Sequence, residues 1–62
     1  MEDIKWFYDE CLYRIQDNTN ILKELKNISV QTNKVKNVII KLENSNKQLE
    51  EIVHELKEQY GL

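Results

Sequence analysis

Apolar residues recur along this chain at alternating intervals of three and four. With Ile39 set as position a of a heptad, one frame runs from end to end without slipping. Position a falls on Ile4, Cys11, Asn18, Leu25, Thr32, Ile39, Asn46, Val53 and Tyr60, and position d on Phe7, Arg14, Ile21, Ile28, Val35, Leu42, Leu49 and Leu56. Only Asn18, Thr32, Asn46 and Arg14 interrupt the apolar character of these two rows, while b, c and f are mostly polar. The pattern predicts an all-α protein: a long helix that forms a parallel two-stranded coiled coil. At 1.5 Å per residue, a helix of the full length would reach about 90 Å.

The seam predicted from this frame comprises Leu25, Ile28, Val35, Ile39, Leu42, Asn46, Leu49, Val53 and Leu56. Leu at d with β-branched Ile39 and Val53 at a favours two parallel strands. Asn46 fits that reading, because a buried amide at a can bond its twin in a parallel in-register dimer, whereas other registers leave it unpaired. It would lower stability and raise specificity. The plainer reading is that an Asn-rich composition placed it there. The usual charge code is missing: Val38 would face Glu43, Ser45 would face Glu50 and Ile52 would face Lys57, and none of these is an ion pair. Val38 and Ile52 instead widen the apolar stripe, which leaves room for a higher oligomer or for a third helix from another protein.

Two segments differ in character: an aromatic-rich helical segment at 1–20 and a heptad segment at 21–62. In the first, Ile4, Phe7, Tyr8, Cys11, Leu12 and Ile15 form one broad face, while Trp6 and Tyr13 lie almost opposite among acidic residues. Tyr8, Ile15 and Leu22 at e offer a competing seam. Two apolar surfaces on one helix need two neighbours. Either the helix runs through and Trp6, Phe7, Tyr8 and Tyr13 form a docking patch for another protein, or QDNTN at 16–20 is a turn and residues 2–16 fold back as a short helical hairpin. The unbroken heptad, the absence of Pro and the lone Gly61 favour the first. Gly61 followed by Leu62 predicts a helix C-cap.

Length and composition sharpen this picture. Sixty-two residues bury little core alone, and one cysteine and one histidine supply neither a disulfide nor a metal centre, so association is the expected route to stability. No cofactor is expected. No run of about 20 apolar residues is present, and the acidic start lacks a signal peptide's basic region, so the expectation is a soluble intracellular protein, in the cytoplasm or nucleus, without membrane insertion. Charge is distributed in three blocks: acidic over 1–17, basic over 18–47, and acidic over 48–62, with a net charge of −2. Nucleic acid is not an expected partner, because a DNA-binding zipper needs a basic N-terminal helix and this one is acidic.

Catalysis finds no support. His54 falls at solvent-facing b with no nucleophile placed to work with it, and the nearby glutamates read as surface charge, Glu43 with Lys47 as an i,i+4 pair. Cys11 at a reads as a small buried hydrophobe. The function expected is that of a structural or interaction protein, a homodimerisation or scaffold module that presents the aromatic patch to another protein; the plainer reading is that these rings close the end of the core. The alternative is an obligate small subunit of a heteromeric helical bundle, such as a tether, a cytoskeletal or segregation complex or a viral structural assembly, or a small secretion-type chaperone.

Overall fold

The computed structural model describes residues 2–62. Among these residues two helices form: α1 spans Glu2–Lys26 and α2 spans Asn33–Tyr60. The chain is all-α, but the single long helix expected from the heptad is broken. The segment 16–20, considered as a turn from its composition, is helical throughout, and the chain reverses at 27–32 instead.

The reversal is built by side chains that complete the two helix ends. After Lys26 the last turn tightens, with Asn27 N–H bonded to the Glu24 carbonyl and Ile28 N–H to the Leu25 carbonyl, each at 3.2 Å. The Gln31 side-chain amide then donates to the Leu25 carbonyl, which it shares with Ile28 N–H, and to the Ile28 carbonyl, at 2.9 and 2.8 Å, so that one side chain ties the end of α1 to the connection. Thr32 starts α2: its extended backbone and its hydroxyl, which accepts from Val35 N–H at 3.2 Å, make it an N-cap rather than a seam residue. No non-glycine residue among those described takes a positive φ, so the turn needs neither Gly nor Pro. At the far end Gly61 adopts the left-handed conformation, φ 66° and ψ 30°, and its N–H reaches the Lys57 carbonyl at 2.9 Å. This is the C-cap that the sequence predicts.

α2 returns antiparallel to α1 and makes an elongated body, 46 × 14 × 13 Å, with a radius of gyration of 14.2 Å against about 11 Å for a compact domain of this length. The helices meet along an intrachain seam. On α2 it uses Val35, Ile39, Leu42, Asn46, Leu49, Val53 and Leu56, the a and d rows, with Ser45 and Ile52 partly covered at its edge. On α1 it uses Ile4, Tyr8, Cys11, Ile15, Asn18, Leu22 and Leu25, the a and e rows. Phe7, Arg14 and Ile21 at d remain exposed, and Ile28 stands exposed in the connection. A parallel two-stranded coil would bury d along the whole length; here α1 is turned so that its e row takes that place. The core is thin: Cys11, at 3% exposure, and Leu22 are its buried apolar members, and no large side chain among the described residues is fully enclosed.

Candidate functional site

The two long sides of the hairpin differ in chemistry. On one side Lys26 reaches across to Glu43 at 3.2 Å, so Glu43 pairs between helices rather than with Lys47. This ion pair is exposed and contributes little to stability. One layer further along, the Asn46 amide donates to the Thr19 hydroxyl at 3.3 Å, and that hydroxyl donates to the Ile15 carbonyl at 2.8 Å. Asn46, at 9% exposure, thus finds a partner within its own chain. Its carbonyl oxygen is buried with no hydrogen-bond partner. Leaving such an acceptor unpaired costs about 1–3 kcal/mol, so this layer carries a cost in stability.

The opposite side carries an open groove of about 330 Å³, lined by Trp6, Phe7, Glu10, Cys11, Arg14 and Leu49. Because Leu49 and Phe7 share this groove, the d row of α1 lies beside the d row of α2. At 100° per residue, the next row outward on that side of α2 is Val38, Ser45 and Ile52. The result is an apolar face made of Phe7 and Ile21, each 45% exposed, with Val38 and Ile52, interrupted by Arg14 and Ser45.

The sequence-predicted aromatic patch divides. Trp6 and Tyr13, at 66% and 62% exposure, stand outside the seam, Phe7 stands at the groove, and Tyr8 is half-buried between the helices. Trp6 reaches the groove's rim, and Tyr13 does not line it. His54 is exposed, and its Nε2 lies 3.1 Å from a Glu58 carboxylate oxygen one turn away. Among the described residues no group of three or more His, Cys, Asp or Glu side chains is arranged to hold a metal ion, and no helix is long and apolar enough to cross a membrane. What the arrangement offers is surface: an uncovered apolar face on a body with little interior. Comparison with protein-family models, with curated proteins and with solved structures gives no match for this chain.

Proposed function

We propose that this protein is a structural association module and not an enzyme: a helical hairpin that self-associates and presents aromatic side chains to another protein. The observation that carries this reading is the mismatch between its surface and its core. Among the described residues ten large apolar side chains are exposed, while two are buried. A chain of this size gains too little from its own interior, and apolar rows at helical spacing are the surface that a neighbouring helix covers. The a and d rows of α2, which the heptad would give to a parallel dimer, face α1 in the hairpin. Self-association in this reading therefore uses the side that carries Phe7, Ile21 and Val38.

A second reading, an obligate subunit of a heteromeric helical bundle, is supported by Trp6 and Tyr13. These rings lie on the far side of α1 from the seam, where a copy seated on the apolar face does not cover both. A dilution series followed by circular dichroism and sedimentation equilibrium tests both readings. Self-association predicts that helicity and mass fall together on dilution. A monomer that stays fully helical at every concentration would overturn self-association, and an unfolded monomer would leave the heteromeric reading. Trp6→Ala combined with Tyr13→Ala is expected to leave helicity and mass unchanged; unfolding by that double variant would place the rings in the core and remove the docking patch.

A further inference from the structure

We infer that the apolar face is covered by a second copy of this chain lying antiparallel to the first, so that two hairpins close into a four-helix bundle with the turn of each beside the open end of the other. This inference rests on the self-association reading above and adds to it a face, an orientation and a driving charge.

Charge gives the orientation. Because α2 returns along α1, the two acidic blocks of the sequence come together at the open half of the rod, and the basic block occupies the turn half. The open half, residues 3–17 and 48–62, carries eight carboxylates against Lys5, Arg14 and Lys57; the turn half, residues 18–47, carries six lysines against Glu24 and Glu43. A single hairpin is therefore strongly polarised along its 46 Å length, although its net charge is only −2. Two copies side by side in the same sense set acid against acid and base against base. Reversed, each acidic half faces a basic half, and a two-fold axis makes the contact self-complementary.

Area supports the second copy as occupant. The hairpin exposes 5167 Å², whereas a compact monomer of 7.5 kDa exposes roughly 4,200 Å². The excess of about 900 Å² matches what one partner contributes to a standard interface, about 800 Å². Shape agrees with this. Reversing the rod about its midpoint brings Ile21 of a second copy over the groove between Phe7 and Arg14, where Leu49 forms the floor. By symmetry the groove of the second copy receives Ile21 of the first.

The unmodified chain provides the first test, because salt acts with opposite sign on the two orientations. Raising sodium chloride from about 50 to about 500 mM screens exposed charges, and the antiparallel dimer should weaken by roughly tenfold, as measured by sedimentation equilibrium. A dimer that tightens with salt would overturn the antiparallel arrangement while leaving self-association standing. Orientation is then read directly from a nitroxide at Ser29→Cys in the turn, with Cys11 replaced by Ser. The two labels should lie on the order of 46 Å apart, the length of the rod, in electron–electron resonance; roughly 10–20 Å, the spacing of neighbouring helices, would overturn the proposal. Should Cys11→Ser unfold the hairpin, Cys11→Ala provides the same cysteine-free background with an apolar side chain in the seam. Val38→Glu is expected to abolish the dimer and Tyr13→Glu to preserve it, and the reverse outcome would assign the wrong face. A chain that is monomeric under all conditions would overturn the second copy as occupant.

Discussion

The two helices carry the same heptad and use it differently. α2 turns its a and d rows inward, so Ile39, Leu42, Leu49, Val53 and Leu56 all face the neighbouring helix. α1 turns a and e inward, so Cys11, Ile15 and Leu22 are covered while Phe7 and Ile21 remain outside. Rotating α1 by one row costs no backbone energy, and its amino acids provide apolar side chains on both sides of the a row. A heptad therefore specifies how much apolar surface a helix supplies. Which part of that surface the neighbour takes depends on the neighbour.

Adjacent residues on α1 give the sharpest way to break this comparison. Leu22 lies in the seam and Ile21 outside it. Leu22→Ala should lower unfolding free energy by about 2–3 kcal/mol at every protein concentration in thermal or urea melts. Ile21→Ala should alter only the concentration dependence of the melt; equal losses from the two substitutions would mean that α1 has no preferred face. Next in size is Asn46→Leu. It removes the orphaned carbonyl and leaves the Thr19 hydroxyl bonded to Ile15, so stability should rise by about 1–2 kcal/mol. A fall in melting temperature would show that the amide is fully satisfied in solution.

Smaller effects test the connection. Thr32→Ala should cost about 1 kcal/mol through the lost N-cap, read from the urea midpoint. If the chain were one continuous helix in solution, the same change would be neutral or stabilising, since alanine is the better helix former. Least of all, Lys26→Gln should cost about 0.5 kcal/mol or less, because its ion pair with Glu43 is solvated on both sides.

Much of α2 is legible in the sequence. Its d row and the Gly61 cap follow from spacing and from the one residue that enters the left-handed region without strain. Trp6 and Tyr13 were also predictable as a separate surface, seven residues apart and nearly opposite the main face. The reversal at 27–32 is less legible, because it contains neither Gly nor Pro. A different signal was present: NISVQTN combines β-branched Ile28, Val30 and Thr32 with the cap-forming Asn27, Ser29 and Asn33, a run of poor helix formers. The frame continued across it because Ile28, Thr32 and Val35 happen to fall on a and d. Asn46 illustrates a further limit: spacing placed the amide in a seam, but identifying Thr19 as its partner required knowing that the chain doubles back.

That doubling back also sets how the molecule carries load. The outer ends of α1 and α2 lie at the same end of the rod, and the turn lies at the other. Tension applied between the two ends acts across the seam rather than along it, and it separates the helices one layer at a time, beginning near Ile4 and Leu56. The layers at Cys11 and Leu49, at Thr19 and Asn46, and at Lys26 and Glu43 are reached in that order. A hairpin loaded in this geometry yields gradually and at low force, whereas the same helices pulled from opposite ends would resist with every layer at once.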